Sequence, residues 1–399
     1  MRTLEYDVLV VGAGPSGSSA ARYAAQGGAR TLMIEKRQEI GSPVRCGEGL
    51  SKSVLDEVKI PRSNKWVANE VAGARIFSPN GACMKLRAEQ AGNEVGIVLE
   101  RDAFDKALAE LAVRAGTDLL VKTSATSILK SNGHVEGVRA VVQGEPVEIR
   151  ARLTIGADGF ESQIGRWAGL NTLLKTRDVD ATLQYRLANI ECDADFCDFY
   201  LGNEVAPGGY VWVFPKGEDV ANVGIGVQLS QTRQKADTRY YLDRFIAEHP
   251  GIARGRPLDM VCGAVSTCKP LSKTVTDGLM LVGDAARMID PITGGGIANG
   301  CLAGMFAGQV ANEALQAGDF SGAFLQRYEK AWRSRLERLL TRNWMAKEKF
   351  GKLSDDTLNK VIETLSEVHM DEINTLNLLK AVQSKHPELL RELNELMAA

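Results

Sequence analysis

The chain lacks several features that would narrow its reading at once. It has no apolar run near the ~18 residues that a membrane span requires. It has four histidines, no Cys-x-x-Cys pair, and seven cysteines scattered at 46, 83, 192, 197, 262, 268 and 301. An odd, dispersed set of this kind excludes a disulfide framework and a structural zinc site, and predicts a reducing, intracellular setting. Neither sign of charge dominates. Forty-eight basic residues face 50 acidic ones, for a net charge of −2, so nothing in the overall balance favours nucleic acid as a partner. No charged-then-apolar leader stands ahead of the first strand-like run. At 399 residues and 44% hydrophobic content, the chain can bury a sizeable core without covalent or metal staples. What it has in quantity is glycine, 40 residues, concentrated in a few turns.

The first such turn follows Tyr6-Asp7-Val8-Leu9-Val10-Val11, a run suited to a strand buried on both faces of a parallel sheet. Gly12-Ala13-Gly14-Pro15-Ser16-Gly17 comes next, then a helix-compatible stretch to Gln26, then Thr31-Leu32-Met33-Ile34 ending at Glu35. Strand, G-x-G-x-x-G, helix, strand and acid stand in the order of a dinucleotide-binding β-α-β unit. Gly12 permits the tight turn, Gly14 lets a pyrophosphate approach the backbone, and Gly17 lets helix and strand close up. The helix start, with Ala13 and Pro15, offers free N–H groups to phosphate. Glu35 is placed to accept from an adenosine ribose.

A second signal lies near residue 284. The buried-strand run Gly278-Leu279-Met280-Leu281-Val282 enters Gly283-Asp284-Ala285-Ala286, and Gly294-Gly295-Gly296-Ile297 opens a helix predicted to reach Ala311. An aspartate at a strand end can bind a ribityl hydroxyl. A glycine-rich helix start can set N–H groups against the pyrimidine edge of a flavin. The plainer reading is a strand-turn-helix with Asp284 as an N-cap.

These segments resemble the FAD-dependent reductase and hydroxylase superfamily. More closely they are similar to the geranylgeranyl reductase family, in its archaeal branch acting on digeranylgeranylglycerophospholipids. Two further segments carry the closer likeness: Gly41-Ser42-Pro43-Val44-Arg45-Cys46-Gly47-Glu48-Gly49, and Gly208-Gly209-Tyr210-Val211-Trp212-Val213-Phe214-Pro215. The resemblance implies an α/β fold: a Rossmann-like FAD-binding domain of the p-hydroxybenzoate-hydroxylase type with an inserted sheet. It implies that the 41–49 loop lies over the flavin through Cys46, Gly47 and Gly49. It also implies that Arg101, in Arg101-Asp102-Ala103-Phe104-Asp105, holds FAD, that the backbone of Ala125 meets the adenine, and that Asp158 of Ala157-Asp158-Gly159 lies near the pyrophosphate. Asp284, Gly295, Gly296 and Ile297 complete the cofactor set.

The residues themselves leave alternatives. Cys46 is either the one thiol placed for chemistry, with Arg45 beside it to lower its pKa, or a small packing residue. Asp102 or Asp105 fits helix capping. Asp158 either meets the cofactor or only holds its turn. Residues 176–275 alternate apolar and polar (Ala181 to Leu187, Val211 to Phe214, Val223 to Val227), as an antiparallel sheet with one wet face would. They are read as a substrate domain inserted between FAD-binding residues 1–175 and 276–320. Tyr210, Trp212 and Phe214 share one strand face, as sheet core or as an aromatic wall for an apolar substrate. The resemblance favours the wall. In the C-terminal helical region, 321–399, residues 321–352 hold nine Lys and Arg against three Asp and Glu, and residues 353–399 hold four against nine. Tyr328, Trp332, Leu336 and Leu339 recur at helical spacing. Arg338 and Arg342 are the candidates for a phospholipid headgroup or an anionic membrane surface.

No second G-x-G-x-x-G follows a strand, so electrons must come from a transient donor, NAD(P)H or reduced ferredoxin. An isolated prenyl double bond has no carbonyl to stabilise a carbanion. Hydride addition therefore needs a proton for the other carbon, in a dry site, with Cys46, a water or Tyr210 as its relay. Two other outcomes fit the same fold. One is a monooxygenase or halogenase, although the halogenase lysine context is missing and Tyr210 replaces the first tryptophan of its strand motif. The other is a module passing electrons to a quinone.

Overall fold

In the computed structural model, which describes residues 2–92, 95–232, 237–367 and 384–387, the N-terminal apolar run is β1 (Arg2–Val11), with Val8, Leu9 and Val10 fully buried. Helix α1 (Pro15–Gln26) follows, then β2 (Thr31–Ile34), parallel to β1. Helix α2 spans Arg101–Arg114, with Phe104 and Leu108 on its buried face. The long strand β3 (Glu145–Gly156) lies parallel to β1 on its other side. An antiparallel hairpin, Thr123–Ser131 with His134–Val142, extends from β3. These strands form the first sheet, eight-stranded, with short strands at both ends.

The second sheet has seven strands. Its centre is β4 (Val179–Ala188), β5 (Tyr210–Pro215) and β6 (Val220–Gln228). Helix α3 (Thr238–Glu248) covers one face, and β7 (Arg256–Ser266) forms an outer edge. Register decides what each face carries. Tyr210 pairs with Gly226, Gly226 with Thr182, and Thr182 with Gly263. One face therefore shows Asp180, Thr182 and Gln184 of β4, with Tyr210, Trp212 and Phe214 of β5. The other face shows Leu183, Tyr185, Val211, Val213, Val223 and Ile225, packed on Tyr241, Leu242 and Phe245 of α3. The alternation does not mark a solvated face. The polar face looks into the molecule. Two strands of this sheet, Gly73–Phe77 and Cys83–Arg87, come from outside residues 176–275.

The chain then returns to the first sheet through β8 (Leu279–Leu281), parallel to β3, and enters α4 (Ile297–Ala317). A stripe of glycines on α4 meets α1. A Cβ on Gly304 would stand 2.2 Å from the Ser16 carbonyl, and one on Gly308 would stand 2.6 Å from that of Ala20. Only glycine allows this approach, and it brings the two helix N-termini side by side. Helices α5 (Gly322–Trp332) and α6 (Arg338–Phe350) are joined by a π-helical turn, Arg333–Glu337. Tyr328 and Trp332 are fully buried, the first donating to the Leu281 carbonyl (2.7 Å) and the second to Thr274 Oγ1 (3.1 Å). The next core residue after Leu336 is Leu340, not Leu339. The π turn inserts one residue and shifts the helical register. Most of the acidic tail lies outside the described residues.

Candidate active site

One cavity lies between the two sheets. It is bordered by the α1 start (Gly14, Pro15, Ser16), the α4 start (Gly294 to Ile297), the loop from Arg45 to Gly49, Arg101, Asp284, and the polar face of the second sheet. The glycines of the first turn divide their roles as their positions predict. Gly12 has φ +110°, and a Cβ there would stand 2.2 Å from the Ala157 carbonyl. A Cβ on Gly17 would stand 1.8 Å from the Gly12 carbonyl. A Cβ on Gly14 would meet nothing within 4 Å. Gly12 and Gly17 serve close packing, whereas Gly14 keeps open a space bordered by N–H groups that suits a diphosphate. Glu35 accepts from Ala13 N–H through one oxygen and from Arg37 N–H through the other, both at 3.0 Å. It braces the turn, and each oxygen keeps acceptor capacity for a ribose.

The Asp284 carboxyl makes no hydrogen bond among the described residues, although burial pushes its pKa up against the pull of Arg101. It does not cap α4. A desolvated carboxyl aimed at a cavity fits a hydroxyl-bearing ligand such as a ribityl chain, and with the Gly14 space it makes the residues present compatible with FAD. Asp158 takes the other course. Its Oδ2 accepts from Ile164 N–H at 2.9 Å, capping a short helix, while Oδ1 is buried without a partner among the described residues. Asp158 does not itself line the cavity, though Ala157 and Gly159 do. Ala125 sits half-buried in the hairpin, and it too is away from the cavity lining.

The 41–49 loop corrects one expectation. Burial pushes the Cys46 thiol up, and the cation working against that rise is Arg101, not Arg45. Burial thus favours the thiol form of Cys46, and its Sγ accepts from Glu48 N–H at 3.2 Å. Arg101 borders the cavity while its guanidinium forks onto Asp105 at 2.8 and 2.9 Å. Asp105 is thus the partner of Arg101 and not a cap. A Cβ on Gly47 would lie 3.1 Å from the Phe214 ring, so the loop packs directly on the aromatic strand.

That strand is both core and wall. Trp212 and Phe214 are buried with Val98 and Cys197, yet both border the cavity with Tyr210. Trp212 Nε1 donates to Gln184 Oε1 at 2.9 Å, and the indole covers Gly224, where a Cβ would come within 2.3 Å of the ring. The Tyr210 hydroxyl donates to the Thr293 carbonyl and so clips the second sheet to the loop before α4.

A buried ionic network behind the loop was not anticipated. The Lys216 side chain, with no exposed surface, bridges Glu48 (2.5 Å) and Glu100 (2.9 Å). Arg186 also grips Glu100, and Asn222 donates to Glu48 at 2.6 Å. Burial alone would raise the Glu100 carboxyl, but Arg186 and Lys216 outweigh it and hold it below the ordinary range. The only trace in the sequence was Glu48, which its turn does not need. Arg338 and Arg342 are exposed, and neither reaches the cavity. The inner face of α6 does reach inward. Asn343 donates to Asp290 (2.6 Å), beside the glycine turn, and Lys347 donates to the Thr267 hydroxyl (2.8 Å).

Among the described residues no helix is long and apolar enough to cross a membrane. A family model described as the geranylgeranyl reductase catalytic domain matches residues 178–265, and one described as an NAD(P)-binding Rossmann-like domain matches residues 10–54. A digeranylgeranylglycerophospholipid reductase of Thermoplasma acidophilum is 53% identical over 98% of this chain and 99% of its own. A protein of the same description from Picrophilus torridus is 50% identical over 99% and 100%. The crystal structure of a geranylgeranyl bacteriochlorophyll reductase-like protein from Thermoplasma acidophilum superposes with a TM-score of 0.92 at 52% identity, covering 99% of this chain and 100% of that one. A flavin-dependent halogenase superposes with a TM-score of 0.71 at 18% identity, covering 98% and 78%. That second likeness speaks to the fold alone. The chain belongs to the digeranylgeranylglycerophospholipid reductase family.

Proposed function

We propose that this chain is an FAD-dependent reductase that saturates the prenyl double bonds of digeranylgeranylglycerophospholipids in archaeal membrane lipid synthesis. The observation that carries the reading is one cavity with two unlike walls. Two helix N-termini and the unpaired Asp284 carboxyl form one wall, suited to a flavin nucleotide. Tyr210, Trp212 and Phe214 form the other, suited to an isoprenoid tail. The Gly14 turn and α1 would hold the diphosphate, Glu35 the ribose, and Asp284 with Gly295, Gly296 and Ile297 the flavin end. Cys46, Gly47 and Gly49 would close over the ring. FAD, once bound and reduced, supplies hydride equivalents to the alkene.

The protein's own residues set the conditions. Trp212 and Phe214 exclude water from the tail. The faces of Tyr210 and Trp212 stabilise positive charge that develops on the more substituted alkene carbon. Glu48 and Lys216 hold the 41–49 loop down. Electrons arrive from reduced ferredoxin or NAD(P)H, since the matched Rossmann segment is the same turn assigned here to FAD. The substrate is drawn from a lipid surface. Exposed Leu258 and Met260 on the outer strand, Ile292 at the cavity rim, and Arg338 and Arg342 on α6 support contact at the inner face of the cell membrane. Adding digeranylgeranyl lipid anaerobically to reduced, FAD-loaded protein should restore the oxidised flavin spectrum in proportion to lipid added. If a quinone restores it and the lipid does not, the proposal is wrong.

A further inference from the structure

The reaction as proposed leaves open where the second hydrogen comes from. Tyr210 has committed its hydroxyl proton to the Thr293 carbonyl. Cys46 is held by Glu48 N–H on one side and Arg101 on the other. A different acid stands in the cavity wall. Asp180 opens β4 on the same face as Thr182 and Gln184, borders the cavity, and is otherwise buried. Its Oδ1 accepts the Thr267 hydroxyl at 3.1 Å, and that hydroxyl accepts from Lys347 Nζ at 2.8 Å. Its other oxygen has no partner among the described residues. Lys347 and Thr267 therefore form a hydrogen-bonded line that ends at a carboxyl facing the substrate space.

We propose that Asp180 is the acid that protonates the alkene, and that Lys347 refills it through Thr267. This rests on the reductase reading above. The alkene π bond breaks. One new C–H bond takes the hydride supplied by the reduced cofactor, and the other takes the proton from Asp180. Asp180 is left as a carboxylate facing the Lys347 ammonium. The Thr267 hydroxyl passes its proton to Asp180 and takes one from Lys347, which recovers its own from solvent. The step needs a carboxyl whose acid form is populated closer to neutrality than an ordinary aspartate's. Burial pushes the Asp180 carboxyl up to about 6, against the pull of Lys347 and the Thr267 hydrogen bond.

The other groups around Asp180 are accounted for. Asp178 turns back to accept from Lys175 N–H. Gln228, its partner on β6, donates to the Arg177 carbonyl. Cys268, beside Thr267, is a thiol that burial pushes up to about 11. Arg45 is a second cation bordering this part of the cavity, its Cβ 3.7 Å from where a Cβ on Gly263 would lie.

Two measurements on the FAD-loaded protein test the proposal. In single turnover with reduced protein and digeranylgeranyl lipid, Asp180→Asn should slow flavin reoxidation and alkene saturation about 10²- to 10⁴-fold, the usual yield of a positioned acid. Lipid binding, read from Trp212 fluorescence, should be unchanged, and Asp180→Glu should recover part of the rate. The wild-type rate should fall as pH rises through the Asp180 pKa, because the acid form is the active one. Independently of turnover, the infrared carbonyl band of a protonated carboxyl should titrate away near pH 6. The band should vanish in Asp180→Asn, and its midpoint should move up in Lys347→Met, which removes the stabilising cation. Asp180→Asn turning over at the wild-type rate overturns the proposal. If wild type saturates no lipid, the reductase reading fails instead. The infrared band then still decides whether this carboxyl is held as an acid, and its absence overturns the assignment.

Discussion

Gly14 and Gly17 stand three residues apart in one turn and carry opposite obligations. At Gly14 there is room for a side chain and, on this account, a cofactor that needs the room. Gly14→Val should leave the stability of flavin-free protein within about 0.5 kcal/mol while abolishing flavin retention. Thermal melts and flavin titration separate the two effects. At Gly17 there is no room, since a Cβ would stand 1.8 Å from a backbone carbonyl. Gly17→Ala should cost about 1–3 kcal/mol or more through forced backbone shifts, with or without flavin. Lys216 makes a different kind of prediction. Its ammonium is wholly buried between two carboxylates, so Lys216→Met strands Glu48 and should cost about 3–5 kcal/mol in urea unfolding. Adding Glu48→Gln should return part of that. The glycine roles were legible in the sequence because turn chemistry is local. Lys216, Asn222 and Asp180 were not, because each acquires its meaning from a partner that only the fold brings near.

Among the elements, the α1–α4 contact does the most to shape the site. Gly300, Gly304 and Gly308 recur at i, i+4 and i+8 on α4, and each faces α1. Together they set the spacing of two helix N-termini on one cavity. Gly304→Val should destabilise by about 1–3 kcal/mol or more, and it should weaken flavin binding, because the two ends splay. A melt and a flavin titration on the same preparation read both. Sequence periodicity located β5 and its aromatic face correctly, because a period of two survives any packing. It misplaced one inward-facing residue within the basic stretch. Leu339 stood at the expected spacing and Leu340 is buried instead, because no sequence pattern announces the π turn at Arg333–Glu337 that shifts the register ahead of both. The basic stretch itself divides by face. Arg338 and Arg342 look outward, while Asn343 and Lys347 look in, against the glycine turn and the Asp180 line.

At the scale of the whole molecule, the nucleotide-binding half was readable from its punctuation. A strand, an acid and a glycine turn that opens a helix occur twice, with Glu35 after the first helix and Asp284 ahead of the second glycine turn, and both turns open on the same cavity. The second sheet was readable as antiparallel but not in extent. Gly73–Phe77 and Cys83–Arg87 join it from far upstream, through a parallel pairing with Phe196–Tyr200 that no local signal marks. Nor could alternation alone say that the polar face of that sheet would look inward. Through Tyr210, Trp212 and Phe214 that inward face gives the cavity an aromatic side opposite the nucleotide side, and saturation of a lipid tail is the chemistry that uses both. The most direct test of this claim is the mass of the lipid after anaerobic incubation with reduced, FAD-loaded protein. Digeranylgeranylglycerophospholipid should gain mass in two-dalton steps, one for each double bond reduced. A lipid recovered at its starting mass, from protein whose flavin is bound and fully reduced, would contradict the account.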